Sequence, residues 1–161
     1  MPPSDPSRPE PQSFVPADFV IPPVPQSDLL RLEPLGPEHN ERDYAAWTSS
    51  IDHIRSTPGF ADRDWPHEMP IAANLSDLIN HARDFEARTG FTYSVLDGDE
   101  VVGCVYIYPP RSAAEVAAGD PVLVHSWVTK ERAELDKVLW RLVSRWITES
   151  WPFDTWTYAP R

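Results

Sequence analysis

An α/β domain with a mixed β-sheet flanked by helices is expected from two features of the chain. The first is a pair of alternating segments, FTYSVLD (91–97) and EVVGCVYIYPP (100–110), separated by Gly98-Asp99. They read as an antiparallel hairpin, ended by Pro109 and Pro110. The second is a strand–helix–strand run: PVLVHSWVT (121–129), a helix at 131–148, and FDTWTY (153–158). In that helix Leu135, Val138, Leu139, Leu142, Val143, Trp146 and Ile147 recur at helical spacing, an unbroken apolar stripe suited to burial on a sheet. A right-handed crossover sets the flanking strands parallel, so the sheet combines both kinds of pairing.

The remaining elements follow in order. Nine of the 19 prolines fall in residues 1–27, so polyproline-like or disordered chain is expected to about residue 13. Phe14, Val15, Phe19, Val20 and Ile21 then interrupt this tail, and residues 14–23 are expected to lie across the body as an extended strap. A proline-motif ligand for a partner domain is the alternative. The folded domain is placed at 28–161. DLLRLEPL (28–35) reads as the first strand, stopped by Pro34 and Gly36. From Pro37 to about Arg55, Tyr44, Trp47, Ile51 and Ile54 predict a helix, with Asn40 a cap candidate. Residues 56–73 hold three prolines and a glycine and read as a long loop suited to binding residues. Asn74 is expected to cap the next helix, whose inward face is Leu75, Leu78, Ile79, Ala82 and Phe85 and whose end is Gly90. A small-residue loop, 111–120, precedes the strand at 121–129. The order is β-α-α-β-β-β-α-β, ending after the fifth strand.

Composition narrows the function. The 161 residues make one domain, 41% hydrophobic and 24% charged, as in a soluble globular protein. The net charge of −11 makes nucleic acid and anionic membranes poor partners. One cysteine, Cys104, excludes an internal disulfide and thiolate zinc sites. No apolar run is long enough to span a membrane, and the start lacks a signal-peptide pattern, so a cytoplasmic protein is expected.

The element order resembles the GNAT superfamily of acyl-CoA-dependent N-acyltransferases over about residues 28–158. TYSVLDGDEVVGCVYIYP, with Gly103, matches its second and third strands, and VHSWVTKERAELDKVLWRLVSRWI its fourth strand and following helix. The resemblance implies acyl transfer from acetyl-CoA or another acyl-CoA to a small-molecule or protein amine, without a metal. It implies that Ser126, Trp127 and Val128 offer backbone contacts to pantetheine, and that the loop opening the helix holds the pyrophosphate on backbone N–H groups. That loop has the form (Gln/Arg)-x-x-Gly-x-(Gly/Ala) in the superfamily. Here Ala133 stands at the Gln/Arg position, Asp136 at the first Gly and Val138 at the last. Glu131, Glu134 and Asp136 crowd the helix start, opposed by Lys130, Arg132 and Lys137; Arg132 and Lys137 are the candidate phosphate contacts. One carboxylate about 5 Å from a phosphate charge costs roughly 1–3 kcal/mol. The superfamily also continues past the fifth strand with a helix and two strands, whereas the sequence runs to Arg161. The exposed sheet edge this implies would be covered by the strap or by a second subunit in a homodimer.

Among candidate side chains, His125 shares a strand face with Leu123, Trp127 and Thr129, opposite Val122, Val124, Ser126 and Val128. A neutral imidazole there is a candidate base for an ammonium substrate; the alternative is a histidine hydrogen-bonded under the long helix. Tyr158 is the second candidate catalytic residue. Tyr106, Tyr108, Trp127 and Tyr158 either line an aromatic pocket or pack in the sheet. Cys104, alternating with Val102, Tyr106 and Tyr108, reads as a core thiol. His53, His67, Glu68 and His81 fall at no metal-ligand spacing. Trp140 lies off the helix stripe and marks a candidate contact surface. Two functions stay open: an acyltransferase, or a GNAT-fold binding or assembly module that does not use CoA.

Overall fold

The computed structural model describes residues 15–109 and 121–161. The expected proline-rich conformation of residues 1–13, Phe14, Pro110 and the 111–120 loop lie outside them. Five strands form one sheet in the order β1 (Arg31–Pro34), β2 (Phe91–Asp97), β3 (Glu100–Tyr108), β4 (Val122–Val128) and β5 (Trp156–Tyr158). All neighbours are antiparallel except β4 and β5, which run parallel as the crossover requires. Both terminal strands are shorter than their sequence patterns. At the last, Phe153 stacks on Trp151 at 5.5 Å, so the chain extends only from Trp156.

Hydroxyl side chains break the helix expected over 37–55. A 3-10 turn at Pro37–His39 leads into α1 (Asn40–Thr48), and α2 (Ile51–Arg55) follows a non-helical Ser50. Thr48 Oγ1 donates to the Tyr44 carbonyl and Ser49 Oγ to that of Ala46, while Ser50 Oγ accepts the backbone N–H of Lys130. Such side-chain bonds compete with helix continuation. The third helix, α3 (Ile71–Ala87), begins one turn earlier than expected, with Pro70 at its N-cap. Asn74 is therefore buried inside the helix instead of capping it. Its end is set by Arg88 in the left-handed region (φ 61°), not by Gly90; the Arg88 guanidinium donates to the carbonyls of Pro16 and Phe19.

The two faces of the sheet hold separate cores. Helices α1–α3 cover Cys104, Tyr106 and Trp127. The long helix α4 (Leu135–Ser150) covers Val105, Ile107, Val124 and Val128 with its expected stripe. Val102 belongs to the α4 side, contrary to simple alternation with Cys104. Val95 pairs with Gly103 and Leu96 with Val101, so Val102 is the extra residue of a β-bulge and turns over. Gly103 is required beside it, since a Cβ would run into the Trp127 carbonyl oxygen.

The apolar residues after the tail pack on this α4 side. Val15 is buried, Phe19 lies 5.9 Å from the Trp151 ring, and Trp146 Nε1 donates to the Pro23 carbonyl at 3.0 Å. The segment joins no strand, as its lack of proline N–H groups favours. It covers a face and leaves the outer edge of β5 without a strand partner among the described residues. Trp140 is half-buried against the Tyr158 ring at 6.2 Å and is not an exposed anchor. Among the described residues no helix is long and apolar enough to cross a membrane.

Candidate functional site

Antiparallel pairing places Tyr106 opposite His125 and Tyr108 opposite Leu123, and all four face the α1–α3 layer. They form one wall of a cavity of about 750 Å³. Helix α3 supplies Asn74, Asp77, Leu78 and His81; the α2–α3 loop supplies Phe60, Arg63 and Trp65; Asp43 comes from α1. The loop expected to carry binding residues thus does line a pocket. It approaches the sheet at Gly59, whose φ of +96° favours glycine and where a Cβ would lie 3.2 Å from His125 Cδ2.

His125 is on the cavity wall, on the opposite face from α4, so it is not a histidine packed under the long helix. Phe60 meets its ring edge-on at 5.8 Å. Arg63 Nη2 approaches His125 Nε2 at 2.8 Å, and Arg63 Nε donates to the Gly59 carbonyl. A guanidinium is only a donor, so the imidazole accepts in this contact.

A second histidine, His81, belongs to no recognisable sequence motif. His81 Nδ1 lies 2.7 Å from the Tyr108 hydroxyl and 3.0 Å from Thr92 Oγ1. Tyr108 in turn donates to Asp84 Oδ2 at 3.0 Å. Because the single hydroxyl proton goes to Asp84, Nδ1–H is the donor to Tyr108, and the Nε2 lone pair is the ring's open position. Burial lowers the His81 pKa from its ordinary value, with Asp84 and Asp77 opposing that shift. Burial raises the Tyr108 hydroxyl well above its usual range.

Asp43 is the other group missing from the sequence reading. It is 4% exposed, and burial pushes its pKa up to about 6, partly offset by a hydrogen bond from Asn74 Nδ2 (3.1 Å). Asn74 also donates to Asn40 Oδ1 and accepts from Trp47 Nε1. The detectable signal was two polar residues on an inward helical face: Asn74 and His81 share it with Leu78 and Phe85 at spacings of four, three and four.

The remaining candidate residues gather elsewhere. Tyr158 and Ser126 are buried on the α4 side, their hydroxyls hydrogen-bonded to each other, and burial raises the Tyr158 hydroxyl well above its usual pKa. The sheet therefore separates Tyr158 from His125. Trp127 is buried behind the cavity wall, its Nε1 donating to the Tyr106 hydroxyl, and Val128 is a core residue. Arg132 is tied to Asp97 at 2.7 Å and Glu100 at 3.4 Å, and Lys137 is exposed on α4. Cys104 is fully buried, with its thiol pKa pushed up by burial. Among the described residues no group of His, Cys, Asp and Glu is arranged to hold a metal.

Where β4 and β5 part beyond Val124, Arg161 fills the gap. Its side chain is 4% exposed. Nη2 donates to the Ser126 carbonyl at 2.8 Å, Nε to Asp136 Oδ2 at 2.7 Å, and Nη1 to the Ala159 carbonyl at 2.7 Å.

No protein-family model matches the sequence, and no curated protein does. Solved structures do match its fold. RimL, a ribosomal L7/L12 alpha-N-protein acetyltransferase, aligns with a TM-score of 0.57 at 10% identity, over 78% of this chain and 62% of that one. The microcin C7 self-immunity acetyltransferase MccE, in complex with acetyl-CoA and AMP, aligns with 0.55 at 14%, over 76% and 63%. A Bordetella pertussis protein assigned to the GNAT acetyltransferases gives 0.54 at 16%, over 80% and 74%.

The chain has the GNAT fold.

It spans less than two thirds of the RimL and MccE chains. In the register that the resemblance implies, the residues here do not form the superfamily's glycine-lined phosphate cradle. In that register Asp136 stands at the first glycine position, and the Ser126 carbonyl on β4 accepts a hydrogen bond from Arg161. A 3-10 turn at Lys130–Arg132 opens toward α4 with Glu131 and Glu134 exposed beside it. This surface presents carboxylates beside the exposed Lys130 and Lys137.

Proposed function

We propose that this chain is a GNAT-fold binding module that takes its ligand in the cavity between the sheet and α1–α3 and does not seat acyl-CoA in the usual cradle. One observation carries the reading: the buried Arg161 guanidinium bridges the β4 carbonyl of Ser126 to Asp136 at the start of α4. The protein thereby satisfies with its own side chains the polar groups that a pantetheine–diphosphate chain would meet. A second reading, acyl transfer to an amine held in the cavity, is favoured by the Asp84–Tyr108–His81 chain, which leaves an imidazole lone pair available to an ammonium proton.

Calorimetric and thermal-shift titration with CoA and acetyl-CoA separates the two. A ligand at 100 times its Kd stabilises the fold by about 2.7 kcal/mol. The proposed reading expects no heat and no shift at millimolar coenzyme. Saturable binding of acetyl-CoA would overturn it, and acetylation of an added amine, lost in His81→Gln, would establish the second reading.

A further inference from the structure

We propose that the cavity under α1–α3 is a site for an aliphatic polyamine, a flexible chain carrying two or more ammonium groups. The inference rests on the reading that this cavity is the ligand side of the fold, and it names the class of ligand.

Among the described residues the lining is rich in acceptors. Asp43 lies at the inner end, and Asp62, Asp64 and Asp77 stand exposed around the mouth. His81 adds the Nε2 lone pair, because Tyr108 and Asp84 hold the ring proton on Nδ1. Several donors of the lining are engaged by the protein's own groups. Asn74 donates to Asn40 and Asp43, Tyr108 to Asp84, and Arg63 to Gly59 and His125. An ammonium group brings three N–H donors and no acceptor, the complement of this surface.

The charge count and the walls select among cations. Among the described residues four carboxylates line the cavity against one guanidinium, so a single ammonium would leave most of that field unanswered. The carboxylates also stand on separate elements, α1, α3 and the α2–α3 loop, so the charges that answer them must be spaced along a chain. Between them lie the rings of Phe60, Trp65 and Tyr106, with Phe60 and Tyr106 6.4 Å apart. Such rings pack methylene groups and attract ammonium groups over their faces.

Calorimetry with spermidine as the probe tests this at fixed, near-physiological salt. The expected result is one site per chain, with affinity at least about tenfold above that of butylamine and of 2-phenylethylamine. Asp43→Asn, which preserves shape, should weaken spermidine by about tenfold or more, while Glu149→Gln, one exposed acid removed from α4, should leave it within about twofold. As a second readout, spermidine should shift the ¹⁵N resonance of His81 Nε2. Equal losses in the two variants would mean diffuse attraction to an acidic protein and would overturn the proposal. So would tighter binding of 2-phenylethylamine, which would assign the cavity to an aromatic monoamine, or a His81 resonance that does not move. The coenzyme titration is run without polyamine, so acetyl-CoA binding would remove the binding-module reading while leaving the spermidine result to decide the ligand class.

Discussion

Asp43 shows how a single buried carboxylate couples the cavity to the stability of the fold. Its pKa is raised by burial from 3.8 to about 6, so the folded chain holds this proton more tightly than the unfolded chain does. The sign follows: stability from this group is fully present below about pH 4, declines as pH rises, and is lost above about pH 6, for a total of about 3 kcal/mol. Asp43→Asn should abolish that component. In urea denaturation the variant should exceed the parent by about 1–3 kcal/mol at pH 7 and by little at pH 4. A parent protein as stable as the variant at pH 7 would mean the carboxylate is well solvated. None of this was legible in the sequence, where Asp43 is one acid among 25 and becomes unusual only through burial behind Asn74 and Trp47. His125 was legible, because strand alternation fixes its face. Its engagement by Arg63, 62 positions away, was not.

At the level of elements, periodicity was informative where one face meets one partner. The stripe of α4 and the hairpin at Gly98-Asp99 follow directly from repeating patterns, and both occur where those patterns put them. The bulge at Val102 and the start of α3 at Pro70 depend on pairing and loop closure, which leave no periodic trace. The strap is an intermediate case: its apolar residues were evident, but its resting place was not. It lies where Trp151 gathers Phe19, Phe91, Trp146 and Phe153 within 5.9 Å. Trp151→Ala should therefore loosen the segment, the end of α4 and β2 together. The expected loss is about 3–5 kcal/mol in chemical denaturation, with faster amide exchange around Phe19 and Phe91. A loss below about 1 kcal/mol, or exchange changes confined to α4, would show that the strap is held by other contacts.

Over the whole molecule, Arg161 acts as a tie between parts distant in sequence: β4 through the Ser126 carbonyl, α4 through Asp136, and the α2–α3 loop through the Pro58 carbonyl at 3.3 Å. The same ion pair that closes the β4–β5 gap also makes each partner depend on the other. Asp136 Oδ1 is already buried without a hydrogen bond, so removing the guanidinium leaves a carboxylate with no compensation at either oxygen. Arg161→Ala should cost about 3 kcal/mol, because an unpaired charge in a largely buried site is expensive. Asp136→Ala should cost less, since Arg161 keeps its carbonyl acceptors. The double variant should fall well short of the sum of the two, giving a coupling of about 1–3 kcal/mol between them. Additive losses would mean that the guanidinium is held by the carbonyls alone and that Asp136 is a bystander. In that case Asp136→Gly would place a glycine at the start of α4 without disturbing the fold, and acetyl-CoA titration of that variant would show whether the acid by itself opposes coenzyme binding.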